Sequence, residues 1–394
     1  MDFKLTPEQE KWRDEVRGFL EEVLTPEIRK DLWESEGGEL YRSEGEKAFW
    51  KKVAERGWLG MNWPKQYGGL EMSAIDQLVM LREFARAGAP PLPLTVTSLA
   101  PTLIRFGTEE NKAEWIPKIA SGEVELALGY SEPDSGTDLA SLQTRAVRDG
   151  DEWVINGQKI WNTHGHIATH EWLAVRTDPT APKHKGISVI IVPIDAPGVE
   201  VRPIWTWGDM RTNQVFFTDV RVPASNLIGE LNRGWYYIAS ALDLERVAIG
   251  AFSAELDVMF EELVEYAKRT RSDGELLINR PSVRRGLAEL HRDLEIANLY
   301  GIKTASMIDA GLVPNKEASI QKFYGTELQT KMTSWAMSMM SLSGQLLKGD
   351  PRAPLNGAVE SSYRKAPPGR FGGGTNEIQR NIVAQRGLGL PRGA

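Results

Sequence analysis

The hydrophobic period of this chain changes twice along its length, and that constrains its fold more than any single motif. Up to about residue 122 apolar residues recur at helical spacing. Trp12, Val16, Phe19, Leu20 and Val23 share one face of a helix that Leu5-Thr6-Pro7 starts with a polar cap and an early proline. Further helices are predicted over about 44–57, 74–86 and 109–120, punctuated by Tyr67-Gly68-Gly69 and Gly88-Ala89-Pro90-Pro91. From about 123 to 231 alternation takes over. Val124–Leu128, Thr144–Val147, Val189–Val192, Val199–Ile204 and Gln214–Val222 read as strands, and Asn156-Gly157 among the β-formers of Trp153–Trp161 predicts a hairpin. Many short strands in so short a stretch imply a small barrel or sandwich. From about 232 the helical pattern returns. An apolar face running through Ile238, Phe252 and Leu263 predicts one long helix. Helices at about 281–311 and 315–347, a turn-rich stretch over 348–374 and a last helix from near Asn376 complete the chain. The expected class is α+β multidomain, with helical residues 1–122, β residues 123–231 and helical residues 232–394 as three domains.

Composition removes several function classes. The 394 residues hold 47 Lys+Arg against 54 Asp+Glu, a net charge of −7, which argues against a nucleic-acid or anionic-membrane footprint. With no cysteine, disulfides, thiolate metal sites and a cysteine nucleophile are excluded. No stretch approaches the roughly 20 apolar residues of a membrane span, and Met1–Val16 is a charged amphipathic start rather than a signal peptide. A cytoplasmic address is the expectation. His164, His166 and His170 are close in sequence but lack a carboxylate at ligand spacing, so no metal site is expected.

Four segments carry possible chemistry. Tyr130–Asp138 follows a strand with a Pro/Gly turn rich in hydroxyls, and either offers donors to an electron-rich ring or oxyanion or is a capped surface loop. Trp161-Asn162-Thr163 sets an indole beside a hydroxyl, which suits a stacked planar cofactor or, equally, a core tryptophan. Glu245 lies four residues from both Ala241 and Ile249 on an apolar helix face. It reads as a carboxylate raised in pKa and poised as general base, or as half of an ion pair with Arg246. Gly372-Gly373-Gly374 runs into Thr375-Asn376-Glu377, allowing close backbone approach to a ligand, or a plain N-cap.

In this order, Gly129–Pro133 with Gly136-Thr137-Asp138, Asn156–Lys159 with Trp161-Asn162-Thr163, and Gly374–Arg380 resemble the acyl-CoA dehydrogenase family over essentially the whole chain. The resemblance implies an N-terminal helical domain, a middle β-barrel and a C-terminal four-helix bundle around FAD. It implies that Tyr130, Ser131, Gly136 and Thr137 line the isoalloxazine and that Trp161, Asn162 and Thr163 flank it. Thr375 and Glu377 would contact FAD of their own subunit, and Thr137, Asp243, Arg246 and Gly373 would contact an acyl-CoA. The implied reaction is α,β-dehydrogenation to the trans-2-enoyl-CoA, with the α-proton taken by a carboxylate and a hydride passed to the flavin. Electron-transfer flavoprotein is the implied acceptor.

Two departures from the family pattern are informative. Many members place the base where this chain has Gly373, and a glycine cannot abstract a proton. A minority carry it on the long C-terminal-domain helix, at the position of Glu245, which becomes the expected catalytic residue. The triple glycine also removes bulk, which suggests a branched or ring-bearing acyl group. The second departure lies at Arg269–Gly274 and Ser341–Gln345, where segments that grip a neighbouring subunit's FAD are altered. Similar changes accompany heteromeric relatives acting on steroid side chains, so both a homo-oligomer and a heterotetramer with a paralogous subunit are expected forms. The rival readings are a subunit that only completes a partner's site and a flavin oxidase or monooxygenase on the same fold.

Overall fold

The computed structural model describes residues 4–35, 43–248 and 252–391, without the side chains of 35, 243–248 and 252. The first part of the chain is helical: α1 (Pro7–Val23), α2 (Pro26–Ser35), α3 (Glu44–Glu55), α4 (Ala74–Ala87), α5 (Ala100–Phe106) and α6 (Glu109–Ala120). Seven strands follow: β1 (Leu126–Gly129), β2 (Arg145–Asp149), β3 (Glu152–Lys159), β4 (His170–Arg176), β5 (Ile187–Pro193), β6 (Val199–Trp205) and β7 (Arg211–Pro223). Then come α7 (Gly234–Ala248), α8 (Phe252–Arg269), a two-strand hairpin of β8 (Arg271–Ser272) and β9 (Glu275–Leu276), α9 (Pro281–Asp309), α10 (Asn315–Met340), α11 (Ala358–Gly369) and α12 (Asn376–Ile382).

These elements form two compact units. One comprises residues 1–22, 73–91 and 246–394. Its core is built by Leu256, Leu263, Leu287, Leu290, Leu294, Leu328, Met332 and Val359, which come from α8, α9, α10 and α11 at helical spacing. Helix α4 joins this unit through partly buried polar contacts rather than sequence proximity. Arg82 reaches Asp257 at 2.9 Å and Asn298 at 2.8 Å, and the Asp309 carboxylate accepts from the α4 backbone N–H of Ala74 at 2.6 Å. Ser73 and Asp76 close a capping box at the same helix start, so its orphan donors are satisfied.

The second unit comprises residues 23–72 and 92–245. Among its described residues the seven strands form one curled sheet in the order β1-β4-β2-β3-β7-β6, with β5 paired to β4. Ile155, Leu173, Val175, Ile190, Val192, Val215, Phe217 and Val220 alternate inward and form its apolar core. Helix α6 is pinned to this unit by Asn111, whose amide donates to the backbone oxygens of Ser225 and Leu227. Among the described residues no helix is long and apolar enough to cross a membrane.

The structure corrects two local expectations. Asn156-Gly157 is not a hairpin turn but a bulge inside β3, where the pairing with β7 shifts register. Gly157 has φ 148°, and a Cβ there would lie 2.7 Å from the Thr144 Cα. Asn156 and Asp219 hold the bulge by exchanging hydrogen bonds of 2.9 Å. The hairpin turn of β2 and β3 is Gly150-Asp151 instead, with Asp149 paired to Glu152. The stretch 348–374 contains α11, which its Pro367-Pro368 had disguised as turn. The expected single helix through Ile238–Leu263 falls on α7 and α8, and residues 249–251 between them lie outside the described residues.

Candidate active site

The segment after β1 folds as a tight turn. Glu132 and Ser135 exchange backbone hydrogen bonds of 2.8 and 3.0 Å, and the Ser135 hydroxyl donates to the Asp138 carbonyl at 3.0 Å. Tyr130 is buried, Ser131 half-buried, and Gly136 and Thr137 face solvent, with open space where a Cβ on Gly136 would stand. The loop is anchored from below by an ion pair absent from the sequence expectations. Lys159, 1% exposed, donates to Glu132 at 2.8 Å and to the Tyr130 carbonyl at 3.1 Å. Glu132 also accepts from the backbone N–H of Gln143 and Thr144. Burial opposes ionisation of Glu132, yet Lys159 and these donors together hold its carboxyl below the usual range. Burial pulls the Lys159 ammonium down to about 8, against the attraction of Glu132.

The turn after β3 has a clear in–out alternation. Trp161 is 59% exposed, Asn162 is 0% exposed, and Thr163 is exposed again. Trp161 holds φ 59°, a left-handed conformation that a bulky residue adopts only when its surroundings impose it. Asn162 was expected beside the cofactor, but its side chain points into the protein. It donates to the Leu128 carbonyl and to Glu171 on β4, both at 2.9 Å. Its backbone is clamped by Asn213, whose carbonyl accepts at 3.0 Å and whose amide donates at 2.8 Å. Burial pushes the Glu171 carboxyl up to about 7. His166, next to Asn213, is pulled down to about 4 by burial and then by Arg211, so it is neutral at pH 7.

In the helical unit, Gly373 and Gly374 take φ 66° and 89°, which explains glycine there. Thr375 is the N-cap of α12, accepting from the Ile378 N–H at 3.3 Å. Asn376 is buried, accepting from Lys322 at 2.8 Å, and Gln379 donates back to the Gly373 carbonyl at 3.0 Å. Glu377 is exposed. Asp243, Glu245 and Arg246 lie on α7, and their side chains are outside the described residues.

Glu132, Lys159, Glu171 and Asn213 are the residues that sequence reasoning missed. A carboxylate within the apolar run of β4 and a lysine ending β3 were the available signals, since charged side chains seldom point into a core without a partner.

Models of the acyl-CoA dehydrogenase N-terminal, middle and C-terminal domains match residues 6–123, 127–220 and 232–388. Acyl-CoA dehydrogenase FadE26 of Mycobacterium tuberculosis is 41% identical over 404 residues, covering 100% of this chain and 99% of the relative. The solved structure of the Tcur3481-Tcur3483 steroid ACAD matches with TM-score 0.91 and 39% identity, covering 100% of both chains. The ChsE4-ChsE5 complex from Mycobacterium tuberculosis matches with TM-score 0.91 and 40% identity, also over 100% of both. This chain therefore belongs to the acyl-CoA dehydrogenase family, whose members are flavoproteins.

Proposed function

We propose that this enzyme dehydrogenates a CoA thioester with a ring-bearing, steroid side-chain-like acyl group, using FAD, Glu245 as base and a paralogous partner subunit. The observation that carries the cofactor reading is the Trp161–Thr163 turn. An exposed indole and a hydroxyl stand outward on either side of a fully buried asparagine, so the outward groups are presented on a fixed base, as stacking on a planar ring requires. The open Gly136-Thr137 edge and the buried Lys159–Glu132 anchor fit the same ligand.

FAD, when bound, supplies the acceptor for the hydride leaving the β-carbon. Tyr130, Ser131, Gly136, Thr137 and Thr163 would line its ring, with Trp161 stacked against it and Thr375 and Glu377 contacting it from α12. Glu245 takes the α-proton. The Gly373 N–H donates to the thioester carbonyl and stabilises its enolate character, which acidifies the α-carbon. Thr137, Asp243 and Arg246 would contact the acyl-CoA, the last two at its pantetheine and nucleotide end. The three glycines leave space beside the reacting carbons for a bulky acyl group, and the two solved relatives named above include one described as a steroid ACAD. Electron-transfer flavoprotein is the proposed acceptor.

A paralogous partner is supported by the β8–β9 hairpin, which falls on the altered cofactor-gripping segment. Its cations are already engaged. Arg271 donates to the Gly274 carbonyl at 2.7 Å, and Arg280 donates to Ser272 at 2.7 Å and to Asp273 at 2.9 Å. The adjoining hollow beside Arg269 is lined by Glu261, Glu262 and Glu265, a poor surface for a diphosphate. One of the solved relatives is itself described as a complex of two named chains.

Substrate class is tested by kcat/KM across thioesters. A steroid side-chain CoA thioester should exceed butyryl-CoA and octanoyl-CoA; a preference for either straight chain would overturn the ring-bearing reading.

A further inference from the structure

Two buried oxygen atoms beneath the Trp161–Thr163 turn have no donor, and they share a location. They are Oδ1 of Asn162 and Oε1 of Glu171, on residues that are both 0% exposed. Both face the same small gap left by Gly165. A Cβ on that glycine would stand 2.0 Å from the asparagine oxygen and 3.5 Å from the glutamate oxygen. The other half of the same pair is already joined, because Asn162 Nδ2 donates to Glu171 Oε2 at 2.9 Å. While Glu171 is a carboxylate, both remaining atoms are acceptors and neither can satisfy the other, a costly arrangement in a dry interior. A proton on Oε1 removes the conflict: the acid O–H donates to the amide oxygen while the amide N–H donates to the acid carbonyl, closing a two-bond ring.

We infer that Glu171 is a neutral carboxylic acid paired in this way with the Asn162 amide, and that the pair is the positioning element of the Trp161–Thr163 turn. The electrostatic surroundings agree. Burial is the dominant influence on Glu171 and favours the neutral form; the Asn162 hydrogen bond and the Lys159 charge oppose it. Lys159, on β3, is committed to Glu132 and to the Tyr130 carbonyl. Arg176, further along β4, donates to the Leu142 carbonyl. On the Asn213 side, His166 is neutral and Arg211 donates to the Asn213 side chain at 3.0 Å. With Asn213 clamping the Asn162 backbone from one side and Glu171 fixing its amide from the other, the strained Trp161 and the outward Thr163 are held at both ends of one immobile residue. The meaning of the pair for flavin rests on the function proposed above, but the pairing itself does not.

The test uses the full chain without added cofactor, so a failure of the flavin reading leaves it intact. Infrared difference spectra across about pH 5.5 to 9 should show a protonated-carboxyl band that is lost as pH rises and is missing in Glu171→Gln. Asn162→Ser keeps the acid and removes its acceptor, so it should shift the same band even if Glu171→Gln folds poorly. Hydrogen exchange at the Trp161–Thr163 amides, corrected for intrinsic rates, should accelerate about three- to tenfold over that range in the wild type, the loss of one hydrogen bond. It should stay flat in Glu171→Gln, whose amide donates at every pH. A wild type with no band that responds to either substitution, as an ionised Glu171 bridged by water would give, overturns the pairing. A band with no pH-dependent exchange, or one that Glu171→Gln does not flatten, overturns the positioning role.

Discussion

The Trp161–Thr163 turn and the β8–β9 hairpin are both short connections that use left-handed residues, yet they present opposite surfaces. In the first, every inward group of Asn162 except one oxygen is bonded to the protein, and the indole and hydroxyl are left facing out. In the second, Asp273 and Gly274 at φ 55° and 80° turn the chain so that its own carbonyls and carboxylate absorb the two arginines. A ligand arriving at the turn meets a finished platform, whereas an anion arriving at the hairpin meets arginines whose N–H groups already donate to the hairpin itself. The contrast fits the proposal that this chain completes one end of the cofactor site and a partner subunit completes the other.

The largest effect should come from the chemistry the platform serves. Glu245→Gln should lower the rate of flavin bleaching by about 10²- to 10⁴-fold while thioester affinity changes little, as loss of a general base predicts; stopped-flow absorbance reads both. A loss under about tenfold would move the base elsewhere. Next, Lys159→Met leaves Glu132 buried without its cation and should cost about 3–5 kcal/mol in denaturant unfolding, the usual penalty for breaking a buried pair. A cost under about 1 kcal/mol would mean that the loop does not depend on that anchor. The Glu171 proton should appear as a pH slope. Its folded pKa of about 7 lies above the ordinary carboxylate value, so its stabilising contribution is full below that value and is lost as pH rises through about 7. The loss amounts to about 3 kcal/mol between pH 4.5 and 8, and unfolding free energies at the two pH values should differ less in Glu171→Gln. The smallest effect belongs to the hairpin. Arg271→Ala, on an exposed strand already closed on itself, should change stability by less than about 0.5 kcal/mol and leave flavin content alone. A fall in flavin content there would sink the contrast.

The periodicities of the sequence placed α1, α3, α4, α6 and most strands close to their observed bounds, because apolar spacing directly reports which face is buried. Asn156-Gly157 misled for a physical reason: the dipeptide favours left-handed backbone, which a bulge needs as much as a hairpin does, and the choice was made by Asp219 some sixty residues away. The association of α4 with α8 and α9 was equally hidden, since it rests on Arg82 meeting Asp257 and Asn298. At the site, the outward residues Trp161 and Thr163 were legible as a motif. The groups that hold them were not, because Glu171 and Asn213 reach Asn162 from separate strands and acquire meaning only once β4 and β7 are in place.

The central claim is tested most directly by the flavin-to-protein ratio of this chain purified alone, read from visible absorbance after denaturing a weighed sample. A chain that completes only one end of the cofactor should carry well under one flavin per polypeptide. A ratio near one would contradict the account and make this chain a self-sufficient homo-oligomeric dehydrogenase.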